Sequence, residues 1–282
     1  MDALGYYNGT WGPLDEMTVP MNDRGCYFGD GVYDAAICYK KNIYLLDNHV
    51  RRFFNSARLL EIILDFTQEE LKSILRDLAA RVTPEETLVY WQATRGAGRR
   101  SHAFPEGRPN LWVMIKAASV SDLSKKIKLI TVEDTRFLHC NIKTLNLIPN
   151  VIAAQRALEA GAQETVFHRG PIVTECAHSN VHIIQDGKFI THPADNYILP
   201  GIARSRLVRV CEGLGIPVEE REFTVDELFN ADEVLISSTS TFGQGADCID
   251  GKPVGGKAPE LLKKIQDQLM RDFSEATGYP GG

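Results

Sequence analysis

The chain has 282 residues, enough for one large domain or two of ordinary size. It is 44% hydrophobic and 24% charged, an ordinary globular composition, and its net charge of −6 argues against a nucleic-acid or anionic-membrane partner. The longest apolar runs fall far short of the roughly 20 residues of a membrane span. The N-terminus, "MDALGYYNGTWG", lacks a basic region followed by an apolar core, so no signal peptide is expected. Six cysteines (Cys26, Cys38, Cys140, Cys176, Cys211 and Cys248) are scattered without a CxxC, which reads as free thiols of a cytoplasmic protein.

In chain order, Asn8-Gly9 in "YYNGTWG" predicts a tight turn between short strands. "VYDAAICY" and "IYLL" around "KKN" predict a hairpin. A helix follows, with Asp47 or Asn48 as its cap and Val50, Phe53, Phe54, Ala57, Leu60 and Ile63 at helical spacing. "TQEE" (67–70) is a capping box that opens the amphipathic stretch "LKSILRDLAARV". Strands "TLVYWQATR" and "NLWVMIKA" are joined by the loop "GAGRRSHAFPEGRP". The polar "SVSDLSKK" reads as a linker, giving a small N-terminal domain over 1–118, a linker at 119–124 and a larger domain over 125–282. Beyond it come strand "IKLITVED", helix "NVIAAQRALEAGA" and four strands, "ETVFHR", "IVTE", "VHIIQ" and "KFITH", with Asp186-Gly187 as a turn. Helices "GIARSRLVRVCEGLG" and "VDELFNA", strand "EVLISSTS" and helix "APELLKKIQDQLMRDFSEA" complete the chain. Helices and strands mix without a strict βαβ rhythm. Neither GxGxxG after a strand nor GxxxxGK[ST] occurs, so nothing supports a dinucleotide or P-loop site.

Four segments carry chemistry-bearing residues. In "HCNIKTLNLIPN" (139–150) a single lysine, Lys143, has only uncharged neighbours. Such a setting suits an amine that forms a Schiff base with an aldehyde; it equally suits a solvated strand-end lysine. Glu175, closing the apolar strand of "IVTECAHSN", is either an exposed carboxylate or one that keeps a pyridine nitrogen protonated. "LPGIARSR" opens a helix with glycine, an ordinary cap or a phosphate-binding helix start. "ISSTST" (236–241) gathers five hydroxyls, which either form a turn or hold phosphate oxygens. His49, His139, His168, His182 and His192 have no metal-ligand spacing and read as structural, and no metal site is expected.

"RGCYFGDGVYD", "HVRRFF", "TRGAGRRSHAFP", "IKTLNLIPN", "VTECAHSN", "YILPGIAR" and "LISSTST" occur in the order and near the spacing found in fold-type IV pyridoxal-phosphate enzymes. From about residue 5 to about residue 275 the chain resembles these class-IV aminotransferases, and most closely D-amino-acid aminotransferases. The resemblance implies an α+β, two-domain fold: a smaller N-terminal α/β domain and a larger domain with a mixed, barrel-like sheet, with pyridoxal 5'-phosphate at the domain interface. It implies that Lys143 holds the cofactor aldehyde and shuttles the substrate proton, that Glu175 pairs with the pyridinium nitrogen, and that Arg52 grips the phosphate. Ile202 and Ala203 would add backbone N–H donors, Ser238 and Thr239 hydroxyls, and Leu199 would pack on the ring face. Tyr33, Arg100 and His102 would hold the substrate carboxylate, the last two reaching from the neighbouring subunit of a homodimer. A guanidinium fork fits a carboxylate in two-pronged fashion.

The chain departs from the relatives' pattern in two places. Cys176-Ala177-His178-Ser179 stands where Gly-Ser-Ser-Ser is common, and Ala203 where a threonine usually follows the isoleucine. The expected activity is ping-pong transamination of D-amino acids with a 2-oxo acid acceptor, 2-oxoglutarate or pyruvate. The Arg-x-His loop disfavours a branched-chain or (R)-amine aminotransferase. An aminodeoxychorismate lyase shares the lysine, and a non-catalytic binding protein on the same fold is the alternative from another class.

Overall fold

The computed structural model describes residues 1–280. They fall into two compact units. The first comprises Met1–Ser119 together with Ile142–Asn146 and Glu275–Pro280, and the second comprises Val120–Asn141 and Leu147–Ser274.

In the first unit, β1 (Ala3–Tyr7) and β2 (Thr10–Pro13) form the expected hairpin, with Asn8 (φ 45°) and Gly9 (φ 97°) in the left-handed region that a primed turn requires. α1 (Arg24–Phe28), not foreseen in the sequence, is one short turn capped by the Asp23 side chain and ended by Gly29 at φ 61°. β3 (Gly31–Tyr39) turns through Lys40 and Lys41, both at positive φ, into β4 (Asn42–Ile43). α2 (Leu46–Leu59) starts earlier than the expected Asp47 or Asn48 cap. The chain leaves β4 through a left-handed Leu45 (φ 51°) and buries Leu46, so Asp47 falls inside the first turn, where its charge still favours the N–H end. α3 (Gln68–Ala79) carries the capping box read from "TQEE": the Thr67 hydroxyl accepts from Glu70 N–H and the Glu70 carboxylate accepts from Thr67 N–H. With β5 (Glu86–Thr94) and β6 (Asn110–Ala117) the strands make a six-stranded antiparallel sheet, ordered β2-β1-β6-β5-β3-β4. Its core includes Val32, Ala36, Val50, Phe53, Leu71, Leu75, Trp91 and Ile115.

The second unit begins with β7 (Ile127–Glu133), α4 (Ile148–Glu159), β8 (Glu164–Arg169), β9 (Ile172–Cys176), β10 (Asn180–Gln185) and β11 (Lys188–Thr191). It continues with α5 (Ile202–Gly213), β12 (Val218–Glu220), α6 (Val225–Asn230), β13 (Glu233–Ser237), β14 (Gln244–Ile249), β15 (Lys252–Pro253) and α7 (Pro259–Thr277), the last helix ending in residues that cluster with the first unit. The nine strands form a mixed sheet ordered β12-β11-β10-β13-β14-β7-β8-β9, with β15 on β14. β9 and β10 lie five strand spacings apart in that order, about 24 Å along a flat sheet. The link from Cys176 to Asn180 can span at most about 14 Å. The sheet therefore curls, and the curl brings the end of β9 to the start of β10.

The sequence placed the whole of 125–282 in one domain. In the structure Ile142–Asn146, which pair with the free edge of β3, and Glu275–Pro280 cluster with the first unit. Among the described residues, no helix is long and apolar enough to cross a membrane.

Candidate active site

β4 covers only the Cys38–Tyr39 end of the β3 edge. The lysine segment covers the other end. Val32 and Thr144 form an antiparallel bridge, Tyr33 N–H donates to the Lys143 carbonyl (2.9 Å), and Leu145 N–H donates to the Gly31 carbonyl (3.1 Å). Gly31 is required here: a Cβ would meet the Ala93 carbonyl oxygen at 2.6 Å and Leu145 Cδ1 at 2.8 Å. Ile142 and Thr144 are buried while the half-buried Lys143 sends its Nζ to 4.4 Å from the centroid of the Tyr33 ring.

α2 supports this segment through one face. His49, Arg52 and Ser56 follow one another at helical spacing. Ser56 Oγ accepts from Lys143 N–H (3.2 Å). Arg52 grips Asp34 in fork fashion, Nε to Oδ2 (2.9 Å) and Nη2 to Oδ1 (2.8 Å), and His49 Nδ1 donates to Asp34 Oδ1 (2.8 Å). Asp34 is wholly buried on the α2-facing side of β3. Burial pushes its carboxyl upward, but Arg52 and then His49 pull it further down, so it stays ionised well below the usual carboxylate range. Burial holds the His49 imidazole neutral against the pull of Asp34. The sequence marked Arg52 but read His49 as structural and missed Asp34. The signal was available: an aspartate occupies a core-facing position of an apolar strand.

The Asp34 cluster makes acid stability a readout. A carboxyl depressed in the folded state adds stability above its unfolded value, 3.8, and loses it as the pH falls through the native value. Asp34→Asn is expected to cost about 1.5–3 kcal/mol at pH 7. Urea unfolding at pH 7 and pH 3 should show the gap to the parent shrinking in acid; an equal gap at both would mean the charge of Asp34 contributes nothing.

Arg100 and His102 lie on the exposed loop after β5, where both pack on Phe28: the Arg100 guanidinium sits 5.3 Å from the ring centroid, and the His102 ring 5.3 Å from it.

In the second unit Glu175 is buried at the end of β9. Its Oε1 accepts from Arg136 Nη1, and its Oε2 accepts from Asn180 Nδ2 (3.0 Å) and Leu199 N–H (3.0 Å). The curl of the sheet supplies Asn180. Asn180 Nδ2 also donates to the Leu199 carbonyl (3.0 Å), and Gly201 makes room for it, since a Cβ there would collide with Asn180 Oδ1. Arg136 is itself buried and clamped by Asp134, which accepts from its Nε (3.0 Å) and Nη2 (2.9 Å). A buried carboxylate and guanidinium so paired meet the condition for keeping charge inside a protein. Arg136, Asp134 and Asn180 carry no recognisable local pattern, and sequence reasoning missed all three.

α5 begins at Ile202 and Ala203, after Gly201, and no side chain caps it. Its first N–H groups have the geometry and partial charge that favour an anion. The hydroxyl run leaves β13 as a turn, with Ser238 Oγ paired to Thr241 Oγ1 (2.9 Å) and accepting from Thr241 N–H (3.3 Å). His178, one of the departures, places Nδ1 at 2.9 Å from the buried Glu164 carboxylate, which also accepts from Ser179 Oγ (2.9 Å). Among the described residues, no cluster of three histidine, cysteine, aspartate or glutamate side chains could hold a metal.

Residues 31–245 match the family described as amino-transferase class IV. The chain is 40% identical, over 267 residues, to a D-alanine aminotransferase of Staphylococcus haemolyticus, covering 93% of this chain and 95% of that one. The chain belongs to the class IV aminotransferases. A D-alanine aminotransferase of Listeria monocytogenes is 38% identical, with 94% of each chain covered. Among solved structures, the branched-chain amino acid aminotransferase of Escherichia coli superimposes with a TM-score of 0.88 at 20% identity, covering 100% of this chain and 98% of that one. The branched-chain aminotransferase of Thermoproteus uzoniensis, solved with norvaline, gives 0.85 at 20% identity, with 97% and 96% covered. The fold is therefore that of the fold-type IV aminotransferases, α+β with a separate antiparallel sheet and a curled mixed one, as the resemblance implied. Class IV aminotransferases work with pyridoxal 5'-phosphate, and each unit carries group types that suit such a cofactor: an amine and an arginine in the first, and a buried carboxylate, uncapped helix N–H groups and hydroxyls in the second.

Proposed function

We propose that this chain transfers the amino group of D-amino acids to a 2-oxo acid such as 2-oxoglutarate or pyruvate. The observation that carries the reading is the near full-length similarity to D-alanine aminotransferases, joined to the Arg100-Ser101-His102 loop. Bound pyridoxal 5'-phosphate supplies a ring that withdraws electrons from the substrate α-carbon.

The chain's own residues do the rest. Lys143 would hold the cofactor through Nζ, and its amine would take the proton from the substrate α-carbon. Its backbone, fastened to β3 and to Ser56, fixes where that amine starts. Glu175, immobilised by Arg136 and Asn180, would keep the ring nitrogen protonated, and Leu199 would pack against the ring. Arg52, oriented by Asp34, would bind the phosphate, and the N–H groups of Ile202 and Ala203 and the hydroxyls of Ser238 and Thr239 would be its further donors. Tyr33, Arg100 and His102 bind the substrate carboxylate.

The working form is a homodimer, with Arg100 and His102 acting on the neighbouring subunit's substrate. Ile148, Val151, Ile152 and Leu158 leave an apolar face of α4 exposed in the single chain, which supports self-association. All six cysteines are unpaired, which supports a reducing, cytoplasmic setting.

A half-reaction screen tests the reading. D-Alanine is expected to shift the visible band of the cofactor-loaded protein, while L-leucine and (R)-1-phenylethylamine leave it. A response to L-leucine alone would move the chain to the chemistry of its structural neighbours, the branched-chain enzymes. Arg100→Ala is expected to raise KM for D-alanine by about 10- to 100-fold, the worth of a charged hydrogen-bonded pair, with cofactor absorbance intact. Loss of cofactor instead would mean that Arg100 belongs to the phosphate.

A further inference from the structure

Resting on the clamp reading above, we propose that Arg24 is the positioning residue of the substrate-carboxylate loop. It shapes the backbone of 99–104 so that Arg100 and His102 present their hydrogen-bonding groups in one fixed arrangement.

The loop is exposed from Arg99 to Phe104 and has no regular secondary structure. An exposed loop is a poor platform for a carboxylate clamp, because specificity needs its donors held within a fraction of an ångström. Arg24 supplies the missing rigidity from beneath. It is itself only 3% exposed. Its Nη1 donates to the carbonyls of Ser101 (2.6 Å) and Ala103 (3.2 Å), and its Nη2 reaches the His102 carbonyl (3.5 Å). One guanidinium thus gathers three successive carbonyls around His102. That fan of donors is specific to arginine; a lysine ammonium would offer a point charge on a flexible stem.

Arg24 is held in turn. Its Nε donates to Asp30 Oδ2 (2.7 Å) and its backbone N–H to the Gly96 carbonyl (2.9 Å). Asp30 also accepts from Arg95 Nε (3.0 Å), and the Arg95 guanidinium lies 3.7 Å from the centroid of Phe104, at the far end of the same loop. The Arg24 guanidinium stacks 4.8 Å from the centroid of Phe28, the ring on which Arg100 and His102 rest. Asp30, Arg24 and Phe28 therefore form a base, and the loop's backbone and both clamp side chains are seated on it.

The test compares Arg24→Lys, Asp30→Asn, Arg100→Ala and Arg24→Lys/Arg100→Ala in the cofactor-loaded enzyme with D-alanine. Arg24→Lys is expected to raise KM about 10-fold, with kcat within about 2-fold and the visible absorbance unchanged. Asp30→Asn should do the same to a smaller degree and decides the matter if Arg24→Lys does not fold. The double variant should exceed Arg100→Ala by clearly less than the full factor of Arg24→Lys alone, because only His102 is left on the loop to be displaced. Multiplicative effects, or an unchanged KM in both loop-base variants while Arg100→Ala raises it, would overturn the positioning role. If Arg100→Ala leaves KM unchanged, the clamp reading itself has failed, and the positioning role falls with it.

Discussion

Lys143→Ala is expected to lower kcat at least about 10³-fold while leaving the protein folded. The two halves of this result have separate physical origins. The segment's attachment to the first unit runs through backbone groups: Tyr33 N–H to the Lys143 carbonyl, Lys143 N–H to Ser56 Oγ, and Leu145 N–H to the Gly31 carbonyl. Alanine keeps every one of them, and Ile142 and Thr144 stay buried on either side. What disappears is the amine beside the Tyr33 ring. On the proposed function the covalent anchor and the group that moves the α-proton would go with it, and neither a water nor a neighbouring tyrosine would replace both. Steady-state turnover, circular dichroism and a thermal melt on the same preparation check the claim. Activity within about 10-fold of the parent would remove Lys143 from the chemistry, whatever the family resemblance.

Arg136→Met is expected to cost about 3–5 kcal/mol of stability, the larger structural effect among single changes near the site. The guanidinium stands between Asp134 and Glu175, both buried, and methionine would leave two carboxylates facing one another without their cation. Arg169, partly exposed, still reaches Asp134 at 3.2 Å and offsets part of the loss there. The effect is pH-dependent in a definite direction. Burial raises the Asp134 carboxyl, but hydrogen bonds and charge from Arg136, with help from Arg169, lower it below its ordinary value of 3.8. Its stabilising contribution is present above that value and is lost as the pH falls through the native one. The gap between parent and variant should therefore be widest near neutrality and narrow in acid, where protonation removes the uncompensated charge. Denaturant unfolding at pH 7 and pH 3 measures it. A gap under about 1 kcal/mol at pH 7 would mean that water reaches these carboxylates and that Glu175 is not held as described.

The elements whose signals are local were legible in the sequence. The capping box at Thr67–Glu70, the Asn8-Gly9 turn and the Asp186-Gly187 turn each declare themselves within four residues. α2 was misplaced at its start because the left-handed Leu45 overrides the polar pair behind it; a buried leucine outweighed a good cap. α1 is too short to show periodicity, and β14 and β15 lie in "QGADCIDGKP", whose glycine, charges and proline mask the strands. The grouping of 142–146 with the first unit was hidden for a different reason. The linker composition at 119–124 says where the chain changes surroundings, but not that five later residues return to pair with β3.

The same division runs through the site. Lys143, Glu175 and Arg52 stand out as residue types in a pattern of neighbours. The groups that hold them do not. Asp34 meets Arg52 from 18 positions away, Arg136 meets Glu175 from 39, and Arg24 meets Ser101 from 77. These partners are joined by strand register, helix phase and the curl of a sheet, and they become visible only once the fold is known.

The most direct measurement is chemical mapping of the cofactor's attachment. The protein loaded with pyridoxal 5'-phosphate is treated with borohydride, digested and analysed by mass spectrometry. A phosphopyridoxyl mass on the peptide carrying Lys143, absent from Lys143→Ala, is the predicted result; the same mass on another lysine, or on none, would contradict it.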